Sequence, residues 1–525
     1  TRQHLASDWS HKMKKSLWTV VLANSIWYSS STRWWLTSAD ANGDPIALLE
    51  EQQPLGVGSD LRGEDSVNLT VNTLTKFQMM TGYGAGLPQS SASVLLQLKS
   101  RDQEEYSDVM DNLFGTDLDQ NKSMGLSMVR FPLGSCDFSL GEYTYDDVAQ
   151  DWTLESFQLD DDSLLIAEVL TDALAINPNL ILAASAWSPP GWLKVDGTVN
   201  GGSDANTLLR HAFPTYAAYL AKAAKAWHDI GLPLHFMSLQ NEPLFGTANY
   251  PGMYLSASDA QHLGALVAPL VAPLGTLLAA YDHNWDEYEY PLQVLDANYT
   301  TADGGSAPVF GAGTAFHCYA GDMSEAHKAV HVAWPSKAIH VSECTGSYPN
   351  DVCNVSLGME GFWANHEWDM RNLFLGAAAH WSSSGLKWVM ALDEDCGPVL
   401  PQVEYRWGRP LVAVATADPG LNSSLAPPPS SSSSSSKIYY NQDFYTIGHM
   451  AKFVPRGSVR VETTTASASP LDFLAESFIL PDGETVAVVV LNSETDEALD
   501  LLLHRASPAV SPGADGDSDG DLALT

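Results

Sequence analysis

The stretch Leu234-His235-Phe236-Met237-Ser238-Leu239-Gln240-Asn241-Glu242-Pro243 has the pattern of a short buried strand that ends abruptly in polar residues. A short apolar run of this kind is typical of a strand in a parallel sheet, which is buried on both faces. Pro243 cannot continue the strand's hydrogen bonding, so it favours a stiff turn directly after it. The preceding residues, 216–230, are rich in Ala, Lys and Trp and stop at Gly231, as a helix with a glycine C-cap does. The region therefore predicts a helix followed by a buried strand.

This alternation of helix and strand repeats on both sides of the stretch. Short apolar runs predict eight strands, at residues 82–85, 126–131, 180–184, 234–239, 277–281, 314–317, 338–341 and 386–392. The clearest helical patterns between them are at residues 162–175, 216–230 and 257–268. Eight β/α units in roughly 350 residues match an expanded barrel of eight parallel strands, each followed by a helix. The predicted fold class is α/β, a (β/α)8 TIM barrel with an appended all-β, sandwich-like domain.

The segments outside this repeat set the predicted domain boundaries. Alternating Thr- and Val-rich strands after residue 459 predict the β-domain, which the strand at Val67-Asn68-Leu69-Thr70-Val71 is expected to join. The predicted organisation is a leader or poorly ordered segment at 1–64, a joining strand at 65–80, a barrel at 81–455 with a Ser-rich loop at 422–437, and a β-domain at 456–525 with an acidic loop at 513–521. Residues 515–520 resemble the start of a calcium loop, but its final Glu would fall beyond Thr525, so a flexible acidic loop is favoured.

The composition excludes some classes of protein. The 525 residues carry 26 Lys and Arg against 63 Asp and Glu, a formal net charge of −37. Nucleic-acid binding depends mainly on Lys and Arg that neutralise phosphates, so no nucleic-acid partner is predicted. No run of about 18 apolar residues is present, which predicts no transmembrane span. The five cysteines are too few for a disulfide scaffold and leave at least one thiol free; Cys344 could pair with Cys353, or either with Cys396. The sequence leaves the oligomeric state open.

Two weaker features favour a secreted protein, located outside the cell or in the cell wall. Met13-Lys14-Lys15 precedes a short apolar run at residues 17–23, as in a signal peptide, although Asn24 ends that run early. Five Asn-x-Ser/Thr sequons would make such a protein a glycoprotein; they begin at Asn68, Asn121, Asn298, Asn354 and Asn422.

Two glutamates occupy the position at which catalytic groups of a (β/α)8 barrel are found, where strands end and the following loops begin. Glu242 follows the fourth predicted strand and Glu343 follows the seventh, so the two can face each other across the barrel axis. Each glutamate alone could be an ordinary surface residue. Together they match the two carboxyl groups that hydrolyse a glycosidic bond, one as acid and one facing the sugar carbon. Asn241 adds an amide that can donate to a sugar hydroxyl.

Motifs around these glutamates resemble glycoside hydrolase family 30. Asn241-Glu242-Pro243 at strand 4 with a glutamate at strand 7 is similar to a large clan of retaining glycosidases. The more specific motifs are Arg130-Phe131-Pro132-Leu133-Gly134-Ser135-Cys136-Asp137-Phe138-Ser139, Trp187-Ser188-Pro189-Pro190-Gly191-Trp192-Leu193-Lys194 and Phe316-His317-Cys318-Tyr319. Ala280-Tyr281-Asp282-His283-Asn284 and Ser342-Glu343-Cys344-Thr345 look closer to the family's fungal β-1,6-glucanase branch than to its glucosylceramidase branch. The resemblance runs from about residue 67 into the β-domain.

The resemblance implies a role for each matching residue. Glu343 would be the nucleophile and Glu242 the acid/base, with carboxyl groups about 5–5.5 Å apart and retention of configuration. Glu242 must begin protonated, so its pKa is expected to lie above that of Glu343, which Arg130 would keep ionised. The substrate-binding residues would be Arg130, Asp137, Trp187, Asn241, His317 and Tyr319. Packing in the core would explain Trp192, Trp388 and His317 as well as sugar contact does.

The resemblance thus implies a retaining glycoside hydrolase that cleaves β-1,6-glucosidic linkages in β-glucan, with neither a metal nor a cofactor. The zinc motif HExxH, the nucleophile elbow and a complete dinucleotide fingerprint are absent from the sequence. The first alternative is a glucosylceramidase, which has the same chemistry and a different aglycone. The second alternative is a non-catalytic carbohydrate-binding protein on a degenerate barrel.

Overall fold

Most of the chain is described by the computed structural model, which covers residues 18–25, 31–39, 45–53, 55–56, 67–119, 122–346, 358–404, 406–415, 438–466, 473–493, 501–505 and 522–524. The strands are β1 (Trp18–Ser25), β2 (Ser31–Ala39), β3 (Pro45–Glu51), β4 (Leu55–Gly56), β5 (Val67–Met79), β6 (Gly82–Gly86), β7 (Met128–Leu133), β8 (Ile181–Ala186), β9 (Phe236–Ser238), β10 (Leu277–Asn284), β11 (Asn298–Thr300), β12 (Ser306–Pro308), β13 (Gly313–His317), β14 (Ile339–Glu343), β15 (Ser382–Lys387), β16 (Ala391–Asp393), β17 (Val412–Val414), β18 (Ile438–Tyr440), β19 (Val459–Ala466), β20 (Phe473–Ile479), β21 (Thr485–Asn492), β22 (Leu501–Arg505) and β23 (Leu522–Leu524).

The helices are α1 (Gln89–Arg101), α2 (Gln103–Phe114), α3 (Asp161–Ile176), α4 (Phe213–Asp229), α5 (Ala257–Val271), α6 (Glu289–Val294), α7 (Met323–Ala333), α8 (Gly358–Asp369), α9 (Leu375–Ala379) and α10 (Gln442–Ala451). A π-helical turn, Met370–Phe374, joins α8 to α9. The predicted Ser-rich loop at 422–437, the acidic loop at 513–521 with its calcium-like start, and Cys353 lie outside the described residues.

Eight parallel strands close into a barrel, which confirms the predicted fold class. The order around the barrel is β6, β7, β8, β9, β10, β13, β14 and β15, and β15 pairs with β6 to close it. This order follows the chain, with the antiparallel pair β11–β12 inserted between β10 and β13. Because all eight strands point the same way, the loops that follow them gather at one end of the barrel.

Two barrel strands differ from their predicted bounds by three residues or more, because the residues they bury are polar. The strand predicted to stop at residue 281 continues as β10 through Asp282 and His283 to Asn284. The last barrel strand, predicted at 386–392, is Ser382–Lys387, in which Ser384 Oγ lies 2.9 Å from His340 Nδ1 inside the barrel. Residues 391–393 form β16, which pairs with β17 outside the barrel. A search for apolar runs does not detect strands whose buried side chains are polar.

The outer helices agree with the periodicity of the sequence. The helices α3 and α5 cover the segments predicted at 162–175 and 257–268, and α4 matches the segment predicted at 216–230 except for its last residue. Gly231 follows α4 with φ of +87°, the left-handed conformation that lets a chain leave a helix. The side chain of Ser256 accepts a hydrogen bond from the Asp259 N–H and caps α5. Within the described ranges, no helix combines the length and the apolar character needed to cross a membrane.

Both ends of the described chain contribute to the β-domain. One sheet of ten strands has the order β23-β22-β5-β19-β20-β21-β1-β2-β3, with β4 paired to β2. The joining strand β5 pairs with β19 in this sheet. The prediction of a leader or poorly ordered segment at residues 1–64 is wrong for Trp18–Ser25, Ser31–Ala39 and Pro45–Glu51, which are strands of the sheet.

Residues 18–23 of the predicted apolar run belong to a strand that is covered on both faces. The strand β1 lies between β2 and β21. Val21 packs into a core shared with the barrel, whereas Val20 and Leu22 pack into a separate core within the β-domain. A strand that is buried on both faces has a nearly continuous apolar sequence, and over seven residues such a sequence is similar to a signal-peptide core.

The pairing predicted for Cys344 is also wrong. Cys344 forms a disulfide with Cys318, 26 residues earlier in the chain. The two cysteines directly follow the ends of the neighbouring parallel strands β13 and β14, a proximity that sequence separation does not reveal. Cys396 is also disulfide-bonded, and Cys136 is a buried free thiol.

Candidate active site

Glu242 and Glu343 meet at the carboxyl-terminal end of the barrel. Glu343 is the last residue of β14, and Glu242 lies in the turn that follows β9. One side-chain oxygen of each glutamate and one ring nitrogen of His317 all lie within 4.8 Å of one another. Carboxyl groups this close can act on a single sugar carbon. Their proximity fits a retaining site better than an inverting one, where the groups are about 6.5–9.5 Å apart.

Irregular backbone turns the polar side chains into the mouth of the barrel. The register of β10 with β13 shifts at Asp282, and the register of β13 with β14 shifts at Ser342. Tyr281, Asp282 and Glu242 have φ values of 73°, 66° and 47°. Non-glycine residues rarely adopt such values, and they persist where surrounding contacts hold them, often at functional sites. The Glu242 N–H donates to the Asp282 carbonyl at 3.0 Å, so the bulge in β10 also positions Glu242.

Asp282 accepts hydrogen bonds from side chains on five other strands of the barrel. The donors are Arg130 Nη2 at 2.9 Å, Ser185 Oγ at 2.8 Å, Ser238 Oγ at 2.5 Å, Ser342 Oγ at 2.6 Å and His317 Nε2 at 3.2 Å. Burial would raise the pKa of Asp282, but the charge of Arg130 and the hydrogen bond from His317 hold that pKa well below its usual range. Asp282 is therefore a fixed negative charge beneath the two glutamates.

Arg130 connects Asp282 to Glu343. Its Nη1 donates to Glu343 Oε2 at 2.7 Å, and its Nη2 donates to Asn241 Oδ1 at 2.7 Å. Although burial disfavours its charge, the neighbouring carboxylates Asp282 and Glu343 raise the pKa of Arg130. The guanidinium stays charged against Glu343, which is the contact that the sequence analysis expected of this residue.

His317 lies between Glu242 and Asp282, with its side chain fully buried. Its Nδ1 is 3.1 Å from Glu242 Oε1, its Nε2 is 3.2 Å from Asp282 Oδ1, and Nδ1 is 3.9 Å from Glu343 Oε1. Burial favours the neutral ring, but these three carboxylates outweigh it and raise the pKa of His317 to about 9.

The expected order of the two glutamate pKa values is reversed in the free protein. Burial raises the pKa of Glu343 against the attraction of His317 and Arg130, and repulsion by Glu242 adds to the increase. For Glu242, burial is outweighed by the hydrogen bond from His317 and by nearby positive charge, so its pKa is lowered. The hydrogen bond between His317 and Glu242 is the physical reason for the reversal, and the sequence could not show this contact.

The remaining predicted substrate-binding residues surround this pair. Tyr319 is 37% exposed, and its hydroxyl donates to Glu343 Oε1 at 3.1 Å. Burial, followed by the charges of Glu343 and Glu242, raises the pKa of the Asp137 carboxyl to about 7. Because Asn241 Oδ1 accepts from Arg130, the amide nitrogen of Asn241 is left to donate to a ligand.

The tryptophans divide into two groups. The guanidinium of Arg130 lies 4.9 Å from the centroid of the Trp187 ring, and Trp388 stacks on Trp187 with ring centroids 5.6 Å apart. These two rings therefore form one wall of the site. Trp192 instead donates from Nε1 to the Asp146 carbonyl at 2.9 Å and packs edge-on against Trp152.

Sequence reasoning missed Asp282 and the serines that bind it. Asp282 belongs to one of the motifs that carry the resemblance, but a strand that is predicted to end at residue 281 leaves its side chain without a role. The rule that selected Glu242 and Glu343, a carboxylate where an apolar strand ends, selects Asp282 once it is applied to β10. The serines Ser185, Ser238 and Ser342 carry no signal of their own in the sequence.

Among the described residues, Glu242, His317 and Glu343 are a set whose side chains could hold a metal ion. Their atoms already have hydrogen-bond partners. His317 is bonded to Glu242 and Asp282, and Glu343 accepts from Arg130 and Tyr319. The positive charge of Arg130 already offsets part of the negative charge of Glu343, as a bound cation would.

Comparison with known proteins identifies related chains. The family model "Glycosyl hydrolase family 30 TIM-barrel domain" matches residues 80–454, and the model "Glycosyl hydrolase family 30 beta sandwich domain" matches residues 457–512. An endo-1,6-β-D-glucanase of Neurospora crassa is 29% identical over 335 residues, covering 62% of this chain and 62% of the relative. The chain thus spans less than two thirds of that relative's length.

Two further matches cover more of the chain. The lysosomal acid glucosylceramidase of Mus musculus is 27% identical over 472 residues, covering 84% of this chain and 82% of the relative. The solved structure of an endo-β1,6-glucanase superposes with a TM-score of 0.72 at 22% identity, covering 93% of this chain and 94% of that one. This structural likeness extends over the barrel and the β-domain together.

Proposed function

Because the chain belongs to glycosyl hydrolase family 30, we propose that it is a retaining glycoside hydrolase that cleaves β-1,6-glucosidic linkages in β-glucan. The observation that carries the proposal is the meeting of Glu242 and Glu343, with side-chain oxygens within 4.8 Å, at the end of the barrel where such enzymes act. The choice of linkage is supported by the endo-1,6-β-D-glucanases of Neurospora crassa and Trichoderma harzianum, each 29% identical to this chain.

In the first half of the reaction, Glu343 attacks the anomeric carbon. Arg130 and Tyr319 each hydrogen-bond one of its oxygens, which orients the carboxylate and favours its ionised form. The electron pair of the glycosidic bond goes to the leaving oxygen, which takes a proton from Glu242. The product is a glycosyl ester of Glu343.

In the second half, water replaces the ester. Esterification removes the negative charge of Glu343, and Glu242 can then accept a proton from water. The water oxygen bonds to the anomeric carbon as the ester bond breaks, and its electron pair returns to Glu343. Two displacements at the same carbon retain the configuration.

An NMR time course on a β-1,6-linked glucose oligosaccharide tests the reaction, the linkage and the stereochemistry together. We expect the β-anomer of the product to form first and the α-anomer to follow by mutarotation. The control is Glu343→Gln, which keeps the size of the side chain and removes the nucleophile, so kcat should fall by about 10⁴-fold or more. Initial formation of the α-anomer would contradict retention. A wild type no faster than Glu343→Gln on any β-glucoside would favour a non-catalytic carbohydrate-binding protein.

Glucosylceramide is the alternative substrate, and one observation favours it. The mouse glucosylceramidase matches 84% of this chain, more than the 62% matched by the Neurospora crassa glucanase. Product analysis after parallel incubation with pustulan, a β-1,6-glucan, and with glucosylceramide vesicles separates the two. We expect glucose oligomers from pustulan, and release of ceramide without cleavage of pustulan would overturn the choice of substrate.

We propose that the protein is secreted and glycosylated. The disulfide between Cys318 and Cys344 is typical of proteins that mature in an oxidising compartment. Asn298 begins an exposed sequon at the start of β11. We expect protein from a eukaryotic secretory host to lose mass on treatment with an N-glycosidase, and a retained mass would contradict glycosylation.

A further inference from the structure

The ring of His317 has both of its nitrogens beside carboxylates. Nδ1 lies 3.1 Å from Glu242 Oε1, and Nε2 lies 3.2 Å from Asp282 Oδ1. The side chain has no exposed surface. A residue that only bound sugar hydroxyls would need a free ring nitrogen facing the substrate, and the described residues already occupy both. The buried ring therefore requires another explanation.

We propose that His317 is a positioning residue that shares one proton with Glu242, and that this shared proton is the one delivered to the leaving oxygen. The proposal rests on the proposed function, since it concerns how the acid/base of that reaction is supplied. It extends that function by giving His317 a role that acts through Glu242 rather than through contact with the sugar.

Asp282 sets the orientation and the tautomer of the ring. Asp282 is ionised and accepts from Arg130 and from three serine hydroxyls, so it can only accept from His317 Nε2 as well. A hydrogen therefore stays on Nε2, and Nδ1 is the nitrogen left for exchange. The hydrogen bond from Nδ1 to Glu242 contains one proton, which is bonded either to the imidazole or to the carboxyl group.

The charges around the ring favour keeping that proton in the site. Glu242, Asp282 and Glu343 face the ring from the ends of β9, β10 and β14, and they raise the pKa of His317 to about 9. Arg130 and His283 are the basic groups that oppose them; His283 Nε2 is 3.9 Å from Glu242 Oε1. Burial lowers the pKa of His283 against the attraction of Glu242.

The exchange balances over one catalytic cycle. As the glycosidic oxygen develops negative charge, the N–H bond at Nδ1 breaks and the proton passes to the carboxyl group of Glu242. That group then gives the proton to the leaving oxygen, which keeps the electron pair of the broken C–O bond. In the second half of the cycle, Glu242 takes a proton from water, and the pair with His317 is restored.

The test replaces the imidazole ring with a side-chain amide, which can still donate a hydrogen bond to Glu242 but cannot transfer a proton to it. In His317→Asn, the side-chain amide can donate near the position of Nδ1 but cannot release a proton. The matched control is His340→Asn, another buried histidine of the barrel, which contacts Ser384 Oγ and the Ala312 carbonyl instead of carboxylates. The measurement is kcat/KM against pH for aryl β-glucosides with good and poor leaving groups.

The proposal predicts two changes in His317→Asn that a structural role would not produce. The alkaline limb of the profile should move to lower pH by about one unit or more, because Glu242 alone must then hold the proton. The rate should fall about 100-fold for a poor leaving group and less than about 3-fold for a dinitrophenyl leaving group, which needs no acid. The control His340→Asn should keep the alkaline limb at the wild-type pH, and its kcat/KM should fall by the same factor on both substrates.

An unchanged alkaline limb in His317→Asn, or an equal loss on all leaving groups, overturns the proposal while leaving the hydrolase function intact. A wild type without activity on any β-glucoside overturns the proposed function first.

If His317→Asn does not fold, NMR titration of labelled histidine in the wild type and in Glu242→Gln gives the same decision. We expect the pKa of His317 to fall in Glu242→Gln, and an unchanged value would overturn the sharing of a proton.

Discussion

Arg130 contacts three residues of the site at once, namely Asn241, Asp282 and Glu343. It forms ion pairs with two buried carboxylates, with Asp282 Oδ2 at 2.9 Å and with Glu343 Oε2 at 2.7 Å. A buried ion pair adds little to stability as a pair, but removal of one partner leaves the other charge uncompensated. The guanidinium therefore serves both the fold and the ionisation of Glu343.

We expect Arg130→Met to lower the free energy of unfolding by about 3–5 kcal/mol and kcat by at least about 100-fold. Urea unfolding and aryl β-glucoside kinetics measure the two effects. The matched control is Arg460→Met, which removes a buried contact with Glu476 in the β-domain. The control should lose stability and keep kcat, and an equal loss of kcat in both variants would show that Arg130 acts on activity only through stability.

The acid/base assignment predicts chemical rescue at Glu242. Glu242→Ala removes both the proton donor and the base, so hydrolysis of aryl glucosides with good leaving groups should stall at the glycosyl-enzyme. Azide is a small anion that needs no general base, and it should restore turnover and form the β-glucosyl azide. Thin-layer or NMR analysis identifies that product, and its absence with a folded variant would give Glu242 another role.

The raised pKa of His317 predicts how stability depends on pH. The pKa rises from 6.5 to about 9 on folding, so the folded protein holds this proton more tightly than the unfolded chain. The stability that this provides is complete below about pH 6.5 and is lost as the pH rises through about 9. The difference in unfolding free energy between wild type and His317→Asn should therefore shrink between pH 6 and pH 9.5, whereas a constant difference would contradict the shifted pKa.

At the scale of elements, the ends of β13 and β14 are joined by a covalent link beside the site. Cys318 follows His317, and Cys344 follows Glu343, so the disulfide ties together the residues next to two site groups. The bond closes a loop with a sequence separation of 26 residues. A loop of this size corresponds to about 3.5 kcal/mol of entropy removed from the unfolded chain.

We expect the double variant Cys318→Ala, Cys344→Ala to lose about 3.5 kcal/mol of unfolding free energy. It should also lose kcat, since the two strand ends are then held by hydrogen bonds alone. Denaturant unfolding with and without a reductant provides the measurement, because a reductant should destabilise the wild type more than the double variant, in which only the disulfide of Cys396 is left to reduce. A double variant as stable as the wild type would contradict a constraining role.

The sequence predicts strands that bury apolar residues better than strands that bury polar ones. Strands such as β8 and β9 were predictable because they bury apolar residues, and the rule for strand ends then located Glu242 and Glu343. Residues 382–385 of β15 and the end of β10 were missed because they bury serines, an aspartate and a histidine. The hydrogen bond between His317 and Glu242 was not predictable. It depends on two β-bulges that change the direction of side chains, and the residue types at these positions do not reveal a bulge.

At the scale of the whole molecule, the β-domain holds the two ends of the described chain beside the barrel. The strand β1 contributes Val21 to the core shared with the barrel, and Thr19 Oγ1 lies 2.8 Å from His366 Nε2 of the barrel helix α8. The described N-terminal strands are thus part of the core. The sequence could not show this, because seven apolar residues fit both a buried strand and a signal-peptide core.

We expect Val21→Asp to lower the melting temperature by roughly 6 °C or more, because it places a charge in the core shared with the barrel. The matched control is Ile46→Asp on β3 of the same sheet, where the side chain is 63% exposed. Calorimetry should show a clear loss for Val21→Asp and little change for the control. Equal melting temperatures for Val21→Asp and wild type would contradict the central place of β1 in the fold.

In the proposed mechanism, Glu343 bonds covalently to the sugar carbon on which Glu242 acts. A 2-deoxy-2-fluoro-β-glucoside with a good leaving group slows the second displacement and lets the intermediate accumulate. Mass spectrometry of the digested protein should then find one added fluoroglucosyl group, on the peptide that contains Glu343, and none in Glu343→Gln. A label on a different residue, or turnover of the natural substrate with no trapped intermediate and an inverted product, would contradict the account.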